Sequence, residues 1–425
     1  MPIDLLNRFE DEIEPELGVK YSSLEYALQN YYASFQAFGG DLGTVLYNLP
    51  CYQDDPFYND EDFPLYNDNH LLEEYTICFI NTIVAFHHFF ELHIQEVLSE
   101  YNDLLNKKIR GYHRVEDIPE LLNELDNPNL RPDGEKSVNF RLALEILKQL
   151  SINRNNTESK YKLKDEHIDL ASDNALLILR KLQDLRNDSL HKGNKVLRFL
   201  AFDYYVTQCL LPLVHSVLKK SEYHYKKLNR SVACKKNILK EILNISFSLE
   251  DLTEKKDNDV FEKSIAYLAH LKELGRASFL RINTPFNELK ARHRNKKDEI
   301  DTMIHGYNRS LYFEIKKYKL AERLALIESK SEKVAQRLIC PCCGAKTLLS
   351  YWKLETPLPG VPKAYRAVTK ASCKFCTYKI DISLGEPKKF NILKVELFSE
   401  YDDIGWPFPE IEISQEQLDK YEDNN

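Results

Sequence analysis

Two groups of residues in this chain have types and spacings suited to chemistry. The first is Cys340-Pro341-Cys342-Cys343-Gly344 with Cys373-Lys374-Phe375-Cys376. Paired Cys-x-x-Cys turns offer four soft thiolates, the donor set that tetrahedral zinc takes. Cys340, Cys343, Cys373 and Cys376 satisfy that spacing, and Pro341 and Gly344 suit a tight knuckle. Cys342 is left over, so a register through Cys342 in place of Cys343 stays open. A closed all-thiolate site predicts a structural zinc, not a catalytic one.

The second group is Arg186-Asn187-Asp188-Ser189-Leu190-His191. Leu179, Leu182 and Arg186 follow one another at three- and four-residue steps, so the arginine continues an apolar helical stripe. A guanidinium there needs a carboxylate or a phosphate. Asn187 and His191, four apart, share a helix face. Gly193 and Asn194 then interrupt the helix, which leaves the histidine at an edge open to a ligand. Imidazole titrates near neutrality and can act as base or acid, while a forked guanidinium can hold phosphate oxygens. The plainer reading pairs Arg186 with a buried carboxylate, Glu91 being the candidate, and lets His191 merely end a helix.

Long helices must carry these groups. Residues 21–38 read as an amphipathic, tyrosine-rich helix, and 39–70 lose periodicity and read as a loop. From Leu71 to about Lys107 a long helix places Tyr75, Phe79, Thr82, Phe86, Phe89, His93 and Val97 on one face. His87, His88 and His93 lie on it without an HExxH pattern and read as ordinary helix residues. Residues 108–172 read as an insertion with helices at Ile118–Leu125 and Val138–Leu150. Ser172 is the expected N-cap of the helix bearing Arg186. Val196–Leu218 is apolar almost all round and should be central in its bundle. Asn308–Leu338 can run as one charged helix, an arm delivering the cysteines, and Tyr378–Leu384 alternates as a short strand.

The expected fold class is therefore mainly α. A helical bundle spans 1–225, with 108–172 inserted. A helical connector covers 226–335, a zinc ribbon 336–400 and an acidic tail 401–425. The tail holds eight acids against Lys420 alone, so nearly all of the net charge of −8 sits there. Two stretches, 216–240 and 289–297, are strongly basic, and local patches govern phosphate binding more than net charge does. No signal-peptide pattern or long uninterrupted apolar run is evident, and the cysteines do not form an even disulfide framework. These features predict a cytoplasmic protein with no membrane partner.

The Arg186–His191 segment lies between two bundle helices, and a long helix bearing Phe89-Phe90-Glu91-Leu92 precedes it. Over roughly residues 20–225 this arrangement resembles the HEPN superfamily. The resemblance implies homodimerisation and metal-independent RNA cleavage, often by toxins or antiphage, abortive-infection effectors. Arg186 and His191 would be catalytic and Asn187 would take the polar position after the arginine. Glu91 matches an acidic position on the earlier helix only loosely, and the ribbon is outside the family's core. The implied partners are RNA, a second copy of the chain and a protein partner or inhibitor. Two rival readings keep the bundle but drop the activity: a zinc-ribbon nucleic-acid-binding regulator, and a scaffold.

Overall fold

The computed structural model describes residues 18–40, 42, 69–112, 114–191, 196–219, 228, 232–248, 251, 259–283, 312–355 and 365–398. The protein is mostly helical with a small antiparallel sheet. It divides into two compact units: Met1–Tyr31 with Glu73–Leu228, and Tyr32–Leu72 with Asn229–Asn425. Helix α1, Gly18–Ala37, contributes to both.

In the first unit, α1 meets α2 (Asn69–Ser99). Tyr75, Phe79, Thr82, Phe86, Phe89, His93 and Val97 are all buried, as the periodicity requires. Helix α2 ends earlier than its apolar pattern suggests. The Asn102 side chain accepts from Leu104 N and starts a tight turn at Asp103–Asn106, which competes with further helix. The chain then enters β1 (Lys107–Ile109). It continues through α3 (Ile118–Glu124) to β2 (Pro132–Ser137), the antiparallel partner of β1. Helix α4, Phe140–Ile152, begins at the Asn139 cap.

Helix α5, Asp173–His191, starts where Ser172 Oγ accepts from Ala175 N, as expected of an N-cap. Next come α6 (Phe199–Tyr204), a π-helical turn at Tyr205–Leu210 and α7 (Leu211–Leu218). Pro212 lacks an N–H and its ring crowds the carbonyl four residues back, so a wider turn before it relieves the clash. Phe202 is central. It meets Phe79 at 5.0 Å and Tyr31 at 5.7 Å between ring centroids, both nearly edge-on. Tyr205 Oη donates to Ile178 O and Tyr75 Oη to Leu197 O, so neither buried hydroxyl is left unpaired. By length and apolar composition the Glu73–Ser99 stretch of α2 could cross a membrane, but its aromatic face is the core of this bundle.

The second unit is built on α8 (Ile238–Leu243), α9 (Asp259–Asn283), α10 (Tyr312–Glu328) and a four-stranded sheet. The strands are β3 (Val334–Leu338), β4 (Leu348–Glu355), β5 (Tyr365–Cys373) and β6 (Lys379–Asp381), antiparallel in that order. Residues 268–275 of α9 are buried without a break, so this helix has no solvent side there. Gly275 is required: a Cβ would come within 2.5 Å of the Tyr32 ring.

One expectation fails clearly here. Asn308–Leu338 is not one helix, because α10 stops at Glu328 and 334–338 pairs with β4. Ser329 Oγ bonds back to Leu326 O, and Lys333 N to Ser331 Oγ; these local bonds let the backbone leave the helix. Nor is α10 a free arm. Glu322 accepts from Lys346 N, and Glu328 from Tyr351 Oη and Lys374 Nζ, which fastens α10 to the cysteine-bearing segment. The alternating Tyr378–Leu384 segment gives a strand only at β6 and then turns at Ile382–Leu384. The basic stretch 289–297, the acidic tail and Cys51 lie outside the described residues, as does part of 216–240.

Candidate functional site

Cys340 follows β3 and Cys373 ends β5, so the sheet brings the two knuckles together. Cys340, Cys343, Cys373 and Cys376 are all buried, with their sulfur atoms within 4.8 Å of one another. Cys340 Sγ lies 3.5 Å from Cys376 Sγ, and Cys343 Sγ 3.8 Å from Cys373 Sγ. A tetrahedron with metal–sulfur bonds of about 2.3 Å has edges of about 3.8 Å, so these spacings fit a four-thiolate ion. The register is through Cys343. Cys342 is buried beside the cluster and points its Sγ at Leu274 O, 3.8 Å away.

Backbone geometry shapes both turns. Gly344, at φ +77°, donates to Cys340 O, and Cys340 N to Ala345 O. Phe375 N and Cys376 N lie 3.3 and 3.4 Å from Cys373 Sγ, where their N–H dipoles favour a thiolate. Burial pushes the Cys340 and Cys376 thiols well up. Burial acts on Cys373 in the same sense, but bonds from its three neighbours and Thr347 hold it well below the usual thiol range. Burial thus favours neutral thiols at Cys340 and Cys376, and a bound cation would offset that penalty by stabilising their thiolates.

Residues outside the two motifs brace the cluster. The Arg276 guanidinium donates twice to the fully buried Glu273 carboxylate and, through Nη2, to Thr377 O at 2.6 Å. Glu273 also accepts from Lys379 N at 2.6 Å. One buried ion pair on α9 therefore grips both sides of Tyr378, just after the second cysteine pair. Ala233 N and Cys234 N donate to Cys342 O and Pro341 O, which holds the first knuckle. The only sequence signal for the brace is a Glu–Arg pair three apart within an apolar run.

The Arg186 region is built differently. Arg186 is half-buried and its Nη1 donates to Asn187 Oδ1 at 2.9 Å. Among the described residues no carboxylate lies within ion-pairing distance of it, so the expected Glu91 partner is not there. Glu91 instead lies 3.8 Å from His87 Nδ1, one turn away on α2. His87 is buried against the Phe140 ring, 4.4 Å between centroids. Burial first, then the positive charge of Arg186, then His88, lower its pKa to about 4. His87 is thus part of the arginine's surroundings, a role its reading as an ordinary helix residue missed; the His87–Glu91 spacing was the available hint.

His191 closes α5, and its side chain lies outside the described residues. The preceding Leu190 is exposed and lines a cavity of about 510 Å³ shared with Ser23, Tyr26, Val84 and His88. Ser23 Oγ lies 2.9 Å from His88 Nδ1. Comparison with protein-family models, curated proteins and solved structures finds no match to this chain.

Proposed function

We propose that this chain is a cytoplasmic, metal-independent RNA endonuclease of the HEPN kind, acting as a homodimer in a toxin or antiphage role. The observation that supports this reading is a guanidinium on a packing stripe with no acid beside it among the described residues. An arginine so placed retains its full charge for an anion from outside. In the proposed reaction His191 takes the proton of a ribose 2′-hydroxyl, which attacks the adjacent phosphorus. Arg186, oriented by Asn187, steadies the charge that develops on the phosphate oxygens. The leaving 5′-oxygen needs a proton. His87, neutral at cellular pH, is a poor donor, so His191 of a second copy is assigned that step. The products would carry 2′,3′-cyclic phosphate and 5′-hydroxyl ends. Glu91 then serves as a neighbour of His87 and not as a reacting group.

The four cysteines are assigned to a structural zinc ion, on the match between their sulfur spacing and tetrahedral thiolate ligation. The zinc holds the two knuckles and takes no part in cleavage. Purified protein incubated with total RNA in chelator tests the activity. Cleavage abolished by both R186A and H191A supports it. RNA or DNA bound without cleavage would instead favour a nucleic-acid-binding regulator or scaffold.

A further inference from the structure

A second cluster of ionisable side chains sits elsewhere in the first unit, where α2 ends. Glu100 directly follows α2, while Glu166 and His167 lie on a tight turn at Asp165–Ala171. Lys164 N donates to Tyr101 Oη at 2.7 Å, which ties that turn to the end of α2. His167 Nε2 faces two carboxylates: Glu100 Oε2 at 3.2 Å and Glu166 Oε1 at 3.4 Å. One donor atom from each of the three residues lies within 4.8 Å of the others.

We propose that Glu100, Glu166 and His167 bind one divalent transition-metal ion, through His167 Nε2 and one oxygen of each carboxylate. Four-coordinate ions with metal–nitrogen and metal–oxygen bonds of about 2.0–2.1 Å have ligand–ligand edges of about 3.3 Å, and octahedral ones about 3.0 Å. The 3.2 Å edge to Glu100 lies in that range and the 3.4 Å edge to Glu166 just above it. The ring is held by burial: its side chain is only 4% exposed. Its Nε2 is the ring atom that faces the two carboxylates. The carboxylates, by contrast, are reachable, at 36% and 52% side-chain exposure.

Two oxygens and one imidazole nitrogen suit manganese or zinc better than calcium, and differ from the four thiolates of the second unit. Three protein ligands leave positions for water or for an anionic ligand. Glu100 also lines a cavity of about 900 Å³ together with Lys20, Tyr21, Gln95, Glu96 and Asn106, which gives such a ligand room. Binding has a local cost. Lys164 Nζ, 2.6 Å from Glu100 Oε2, must swing away. The Lys164 side chain is 48% exposed and free to move into solvent. The nearby His93 stays engaged with Glu96 and Lys20 and is not a ligand.

The test uses the full chain with its cysteines zinc-loaded, titrated with Mn²⁺ alone and followed by electron paramagnetic resonance of the free ion. One bound Mn²⁺ per chain is expected. E100Q and E166Q, at exposed positions that spare the fold, should each weaken binding about tenfold or more. R186A should bind as wild type does, which separates this site from the RNA-cleaving one. No stoichiometric Mn²⁺ binding, or binding unchanged in both glutamine variants, overturns the proposal.

Discussion

The cysteine cluster and the Arg186 region handle buried charge in opposite ways. Around the cysteines the bracing groups are paired: α9 supplies a closed ion pair, the 233–234 backbone clasps one knuckle and α10 clasps the cysteine-bearing segment. Around Arg186 the guanidinium has one amide oxygen and no acid among the described residues. A satisfied network is rigid and holds what is already inside. A half-buried cation without an acid beside it relies on that amide and on solvent. The contrast teaches that one region is closed by a buried ion pair, while the other leaves its cation a single amide partner among the described residues.

The largest effect should come from breaking the closed region. Cys376→Ser is expected to abolish stoichiometric metal and, with it, stabilisation on the order of 10 kcal/mol. Calorimetry should then show the second unit losing its cooperative transition while the first keeps its own. Arg276→Ala leaves Glu273 as a lone buried carboxylate and should cost about 3–5 kcal/mol. It should also loosen metal binding about tenfold or more, read by competition with a chromophoric chelator. Phe202→Ala, in the other unit, should cost about 3–5 kcal/mol in denaturant unfolding with metal content unchanged.

His87 gives a pH test of the open region. Its folded pKa is about 4 against an ordinary 6.5, so the unfolded chain takes up the proton first. Stability of the first unit should therefore be full above pH 6.5 and fall as pH drops toward 4, by up to about 3 kcal/mol. His87→Phe should flatten that fall in thermal melts of the first unit. A melt equally steep in the variant would show that the loss comes from other groups.

What was legible in the sequence was local. The stripe from Tyr75 to Val97, the Ser172 cap and the two Cys-x-x-Cys turns each declare themselves within a few turns of chain. The failures were of longer range or of competition. A helical pattern ran from Asn308 to Leu338, yet serine side chains and pairing with β4 ended the helix at Glu328. The Glu273–Arg276 brace could not be placed, because its targets, Thr377 and Lys379, are about a hundred residues away in sequence. The approach of His87 to Arg186, and of Glu100 to His167, likewise depends on which helices meet.

The most direct measurement is single-turnover cleavage of a total-RNA substrate in excess chelator by wild type and Arg186→Ala, with product ends analysed. The expected result is 2′,3′-cyclic phosphate ends from wild type and a rate at least about a hundredfold lower in the variant. Cleavage at the wild-type rate by Arg186→Ala, or none by folded wild-type protein, would contradict the assignment.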